Sequence, residues 1–465
     1  MNAPMIWVFS PLVIALISML FRKQRLFVLL LVGIYSSLLA ILALTLKIDL
    51  LIPVGPFSVE ISSVFDIFGR KFILEDSDRF ILALIYGIGA VWFFGARISG
   101  SNENFCPNGL GILAIMVAAL SVQPFLYAAL LIEFAVLLSF PMFIYDKGAT
   151  NQGVLRYLIF QTLAIPFVLL AGWGFEQAPL SANSQEQYLQ AAILLGLGFA
   201  FWLAVFPFYS WVPLLASDGQ PYVAGFIFFA LPTTSLLLLL DFFNNYNWMR
   251  NEVMFSGSLR LISTIMIVSG GIWAAFQKSL IRLFGYAVIV ETGFALLSLS
   301  LSNIVGWTAY IQSFLPRLLA IAILSLSLAS LRNSGETFDL NDLKGVYYRY
   351  PFVSSAFLIA WFSICGFPIL AAFPIRLAIL SVLASESIVF GLWVVVGVLG
   401  MFFAGFQVIG IFFSRENNNS IQVNETVVQA VFLSLGTALL ILVGLFPNIF
   451  LSPFTNLLLA YRNLT

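Results

Sequence analysis

Apolar runs long enough to cross the roughly 30 Å of a bilayer's hydrocarbon recur along the whole chain. They fall at about 4–21, 26–47, 80–97, 108–123, 125–145, 154–175, 190–213, 222–240, 258–277, 280–300, 306–331, 352–385, 388–414 and 427–448. Helices satisfy their own backbone polar groups in lipid, so runs of this length read as spanning helices. The expected fold is therefore an all-α polytopic membrane protein of about 14 transmembrane helices. Composition agrees: 61% of residues are hydrophobic and 9% are charged, against about 25% charged in a soluble domain. Residues 1–21 have no basic leading segment and no small-residue cleavage site, so they read as a first span rather than a signal peptide.

What is missing also narrows the chemistry. With no histidine, His-ligated haem, most zinc sites and a Ser-His-Asp triad are excluded. Two cysteines, Cys106 and Cys365, are too few for an iron–sulfur cluster. No metal, cofactor or catalytic residue is expected in this chain. The formal net charge is zero, with no basic patch, so nucleic acid is not an expected partner; the lipid bilayer is.

Lysines and arginines in the loops favour the side that carries "FRKQR" (residues 21–25) by twelve to seven, counting Lys147 and Arg415 on that side and Arg250 and Arg462 on the other. That bias places the "FRKQR" side in the cytoplasm and both termini outside. The stretch 48–79 reads as a long outside loop able to form a hairpin, and no soluble domain is expected.

Two apolar segments are interrupted alike: "FPFYSWVPLLASDGQP", with Pro207, Pro213 and Pro221, and "CGFPILAAFPIRLAIL", with Pro368 and Pro374. Proline removes a backbone donor and glycine loosens the helix. Paired interruptions in two halves point to the working centre of an inverted-repeat transporter. Pro207 and Pro368 are 161 residues apart, and the intramembrane acids Glu133 and Glu291 are 158 apart. Each acid lies two spans before its broken span. The expected organisation is 1–107 (three helices and an outside loop), 108–240 (a first five-helix repeat), 258–414 (a second) and 415–465 (a last helix and tail). An odd number of helices per repeat makes the two copies opposite in orientation.

With these features, the chain resembles the antiporter-like membrane subunits of respiratory complex I (NADH:quinone oxidoreductase) and the related Mrp-type cation/proton antiporters. "LIEFAVLLSF" is similar to the family's fifth-span glutamate segment. "FPFYSWVPLLASDGQP" is similar to its "PFHxWLPDAHxxAP" run. "FQKSLIRLFGYAVIVETGFALLSLS" and "DLKGVYYRYPFVSSAFLIAWFSICGFPILAAFPIRLAIL" follow in the family's order, over about residues 108 to 415. The resemblance implies a row of buried ionisable groups along the mid-membrane plane. Buried lysine suits proton carriage because desolvation lowers its pKa toward neutrality.

The carry-over is partial. Glu133 matches the family glutamate. Trp202 stands at the seventh-span lysine, Thr233 or Thr234 at the eighth-span lysine, and Tyr209 at a loop histidine. Arg317 and Arg376 stand where later lysines would be, and arginine is effectively never neutral. The resemblance thus implies the family's architecture with degenerate channel lysines.

An ionisable group inside a span costs roughly 3 kcal/mol on insertion scales, so each needs a reason. For Glu133 that is a proton site or a contact with a neighbouring subunit, against a structural hydrogen bond. Glu291 is the symmetry mate of Glu133. Arg317 and Arg376 are expected to pair with Glu291 or to line water, with a fixed ion pair favoured. Asp241 is expected to be solvated at the outer edge, and Asp218, between the broken helices, to be a helix-capping or loop residue. Thr233, Thr234 and Ser235 read as interhelical packing.

The implied function is an antiporter-like subunit in the membrane arm of a complex I-type NAD(P)H or ferredoxin:quinone oxidoreductase. Its partners would be other membrane-arm subunits in an energy-transducing membrane, with redox chemistry in other chains and pumping through this one weakened or lost. A standalone cation/proton antiporter, or a structural subunit of a related membrane hydrogenase or carbon-uptake complex, remain alternatives. The chain stops about 17 residues after the last expected span, so it is expected to lack the lateral helix that some relatives append.

Overall fold

The apolar runs fold as helices whose ends fall at prolines, glycines and capping side chains. The computed structural model describes residues 2–54, 57–67, 69–143, 152–177, 184–246, 253–301, 304–414 and 423–461. A π-helical turn precedes α1 (Ser10–Leu20), and α2 (Arg25–Thr45) follows. The loop expected to hold one hairpin holds two. β1 (Leu51–Val54) pairs antiparallel with β2 (Phe57–Glu60), and β3 (Val64–Ile67) with β4 (Arg70–Ile73). Next come α3 (Arg79–Ser99) and α4 (Phe105–Ser121), then β5 (Val122–Gln123), which adds to β4.

The segment expected to be the first repeat holds α4, α5 (Leu126–Phe143), α6 (Gln152–Gln177), α7 (Ser184–Trp202), α8 (Trp211–Asp218) and α9 (Pro221–Asn245). The segment expected to be the second runs from α10 (Val253–Ala275) through α11 (Leu280–Leu299), α12 (Ile304–Gln312), α13 (Phe314–Asn333), α14 (Pro351–Cys365), α15 (Phe373–Glu386) and α16 (Ile388–Phe412). In each, one spanning helix is split by a break, between α7 and α8 and between α14 and α15. α17 (Val427–Leu445) closes the bundle.

Among the described residues, ten helices are long and apolar enough to cross a membrane, and three shorter apolar helices accompany them. The expected span at 190–213 divides instead. α7 begins with the polar residues Ser184–Gln187, ends at Trp202, and is followed by a five-residue gap before a 3-10 turn. Lys147, Arg250, Arg415 and Arg462, which entered the loop count, lie outside the described residues.

Depth in the bundle does not follow hydropathy. α9 is apolar on every side and wholly buried, and α11 and α13 are nearly so. α16 and α17 are at least as apolar, yet mostly exposed. A helix apolar all round is at home either in a protein core or against lipid chains. α10 and α16 approach through glycines: a methyl added at Gly271 would lie 1.9 Å from the Gly397 carbonyl oxygen, and one at Gly400 would lie 2.5 Å from that of Gly271. Small residues that let backbones touch are the usual adhesive between helices in lipid, where apolar burial gives no net drive.

Polar corners tie the helix ends. Asp218, the last residue of α8, accepts from the Gly153 amide at 2.6 Å and so caps the first turn of α6. A carboxylate there both satisfies a free amide and answers the positive end of the helix dipole. Gln220 donates to the Ser99 carbonyl at 3.0 Å, and Arg332 to that of Gly219 at 2.9 Å. These bonds fasten the α8–α9 corner to the ends of α3 and α13. Glu425 accepts from the Val353 amide at 2.7 Å and caps α14, while its neighbour Thr426 caps α17.

A buried charged centre at the second broken helix

The two breaks place their prolines where no helical amide is lost. Pro207 precedes the 3-10 turn Phe208–Ser210, Pro213 lies in the first turn of α8, and Pro221 opens α9. Pro368 sits in the gap between α14 and α15, and Pro374 in the first turn of α15. Ala204 in one gap and Ile369 in the other adopt positive φ, an uncommon conformation for residues with a side chain.

The second break carries the charge. Arg376 lies in the first turn of α15, near the positive end of that helix, where a cation is unfavourable. It forms a buried ion pair with Glu291 of α11. Its guanidinium also stacks 3.5 Å from the ring of Phe294, one turn along the same face of α11 as Glu291. Gly366, at φ +77°, ends α14; a methyl there would come within 3.0 Å of Arg376 Cγ, so the glycine makes room for the arginine stem.

Arg317 is placed differently. It too sits in the first turn of its helix, α13, and is 2% exposed. Among the described residues no carboxylate lies within ion-pair distance of it. It donates to Thr292 Oγ1 at 3.4 Å, and its guanidinium lies 5.7 Å from the ring of Phe229 on α9. Of the two arginines expected to pair with Glu291, Arg376 therefore does so directly, and Arg317 is held by the residue next to it. Arg317 Nε, Arg376 Nε, Thr233 Oγ1 and Tyr310 Oη are buried without a protein partner among the described residues.

The first break has no such centre. Trp202 is buried, and its carbonyl accepts from Gln161 at 3.3 Å. Thr234 bonds back to the Ala230 carbonyl at 3.1 Å, the ordinary habit of a helical threonine. A void of about 10 Å³, room for about one water, lies where Trp202–Ala204 and Trp211 meet Pro232 of α9 and Thr292 of α11. Glu133 stands apart on α5. It is half-buried and accepts from Thr162 of α6 at 2.8 Å. The expected repeat would make Glu133 and Glu291 counterparts in sequence, but their surroundings differ: Glu133 has a threonine on the bundle's flank, Glu291 an arginine in its centre. Asp241 is half-buried rather than fully solvated, and lines a cavity of about 230 Å³ with Glu176 and Tyr246.

Phe229, Thr292, Phe294 and Tyr310 were not singled out from the sequence. Phe294 could have been found from helical spacing, since it lies three residues after Glu291 on the same face; Thr292, one residue on, points about 100° away and carries no such signal. Phe229 and Tyr310 carry no local signal.

Comparison with known proteins agrees with this architecture. Residues 175–404 match the NADH:quinone oxidoreductase/Mrp antiporter transmembrane family. A curated relative, NADH-quinone oxidoreductase subunit N 2 of Acidobacterium capsulatum, is 26% identical; the match covers 61% of this chain and 62% of the relative's length. In fold, the chain is similar to a chain of the Mrp complex from a Dietzia species, with TM-score 0.77, 14% identity and coverage of 99% and 97% of the two chains. It is likewise similar to a chain of respiratory complex I from Thermus thermophilus, with TM-score 0.70, 20% identity and coverage of 95% and 98%. Two split helices, their order in the chain and the sequence that surrounds them lead to one assignment: over residues 175–404 the chain matches the NADH:quinone oxidoreductase/Mrp antiporter transmembrane family, and its whole length is similar in fold to chains of Mrp and respiratory complexes.

Proposed function

We propose that this chain is an antiporter-like subunit in the membrane arm of a complex I-type NAD(P)H or ferredoxin:quinone oxidoreductase, and that proton carriage through it is weakened or lost. The observation that carries the reading is the contrast between the two breaks. The second holds a buried, closed Glu291–Arg376 pair, and the first holds Trp202, Thr233 and Thr234 where the resemblance calls for lysines. A relay needs groups that exchange a proton near neutrality. Arginine does not, and tryptophan and threonine do not. In this reading the charged centre fixes helices α11 and α15 against each other and keeps the antiporter shape for neighbouring subunits. The loop arginines support both termini on the non-cytoplasmic side.

The decisive experiment is gentle solubilisation of the native membrane, capture of this chain and mass spectrometry of its companions. Flavin and iron–sulfur subunits in fixed ratio are the expected result. Recovery of the chain alone, or with small membrane proteins only, overturns the assignment; ion exchange in liposomes then tests a standalone antiporter.

Glu133 offers a separate check. Its hydrogen bond to Thr162 and its place on the bundle's flank, away from the arginines, support a structural carboxylate. Glu133→Gln is expected to leave the ratio of protons moved to electrons transferred unchanged in the assembled complex. A clear fall in that ratio would mean that protons still pass through this chain.

A further inference from the structure

Where α1, α2, α3 and α4 end at one membrane face, a cavity of about 230 Å³ opens between the α1–α2 turn and the α3–α4 loop. Arg22, Arg25 and Arg97 line it, with Glu103 as its one carboxylate. Arg22 is spoken for: its Nε lies 3.5 Å from Glu103, and it donates to Asn104 at 3.2 Å. Arg25 and Arg97 are exposed and have no acid within ion-pair distance among the described residues. The wall of the cavity away from the loops is apolar, formed by Leu26 and Leu29 of α2. It continues onto a lipid-type surface, since Leu16 and Leu20 of α1 and Leu26 and Leu30 of α2 are all exposed.

Three guanidinium groups against one carboxylate, at the edge of the hydrocarbon, form a site of net positive charge with an apolar exit. Guanidinium matches phosphate oxygens in a fork geometry, and basic pockets between spanning helices suit anionic head groups. We propose that this cavity binds the phosphate of an anionic glycerophospholipid, with Arg25 and Arg97 on the phosphate and the acyl chains lying along Leu26 and Leu30. A soluble phosphate compound would use the arginines but not the apolar exit. The proposal is independent of whether the chain moves protons, because the site lies at the membrane face and not in the charged centre.

The test uses the full chain purified in mild detergent, with native mass spectrometry of bound lipid. Phosphatidylglycerol and phosphatidylcholine are supplied at equal mole fraction. Preferential retention of phosphatidylglycerol is expected, weakened about tenfold or more in Arg25→Gln/Arg97→Gln. Glu103→Gln, which removes the opposing charge, is expected to strengthen retention, and it keeps the proposal testable if the double variant fails to fold. Equal retention of the two lipids, or phosphatidylglycerol retention unmoved by any of these substitutions, overturns the proposal. Displacement of the lipid by inorganic phosphate at comparable concentration also overturns it, by assigning the cavity to a soluble anion.

Discussion

Glu291→Gln is expected to prevent stable accumulation of the chain. Arg376 is buried near the positive end of α15 and is neutralised by Glu291. With glutamine opposite, it would keep its charge in the centre of the bundle with only the Phe294 ring to answer it. Removing one partner of a buried ion pair costs about 3–5 kcal/mol, a large part of the roughly 5–15 kcal/mol that holds a typical domain folded. Arg317 makes the loss worse, because it too has no other carboxylate near.

Replacing both partners should behave in the opposite way. Glu291→Leu together with Arg376→Met removes the need for compensation within the pair, leaving Arg317 on Thr292, and apolar replacements of similar volume are often neutral or better. The measurement is thermal unfolding of the purified chain and its yield from membranes, across both singles and the double. A double variant no more stable than Glu291→Gln would show that the pair is not what makes the single variant fail. If the double variant assembles but the complex then moves fewer protons per electron, the pair takes part in transport and the fixed-pair reading is wrong.

The second large effect is a reversal of sign between two glycines. Gly271→Ala puts a methyl 1.9 Å from the Gly397 carbonyl oxygen, so α10 and α16 must separate. Overpacking of this kind costs about 1–3 kcal/mol and sometimes more. Gly410 is on α16 as well, but a methyl there meets nothing within 4 Å. Gly410→Ala should therefore stabilise by up to about 1 kcal/mol through helix propensity alone. Unfolding curves for the two variants beside the parent decide the matter. If both shift the same way, the seam is not a tight contact.

Much of this fold is legible in the sequence because its strongest rules act locally. Apolar length marks the spans, and proline marks the breaks. A charged residue in a span announces itself, so Glu291, Arg317 and Arg376 all stand out from the apolar residues around them in the chain. Their pairing does not, because it depends on the depth and rotation of three helices separated by long stretches of chain. Arg317 and Arg376 are equal candidates by sequence, and packing makes Arg376 the partner. The Gly271–Gly397 contact is invisible for the same reason: each glycine is unremarkable until the other lies against it. The arginine cavity illustrates a third case. Arg22, Arg25 and Arg97 read from sequence as indicators of sidedness, and only the fold brings the third to the first two. Asp218 is the counter-example: an acid beside a proline-rich break reads as a helix-capping or loop residue, and it caps α6 from the end of α8.

The buried pair also sets a constraint on how the chain is made. Glu291 emerges from the ribosome 85 residues before Arg376. At about 5–20 residues per second of synthesis, that interval lasts on the order of 4–17 seconds. Through it α11 carries a carboxylate with no base, and α13 then delivers an arginine that cannot reach it directly. Neither helix reaches its final electrostatic state on entry to the bilayer. The electrostatic surroundings of Glu291 are thus complete only when α15 has joined the bundle.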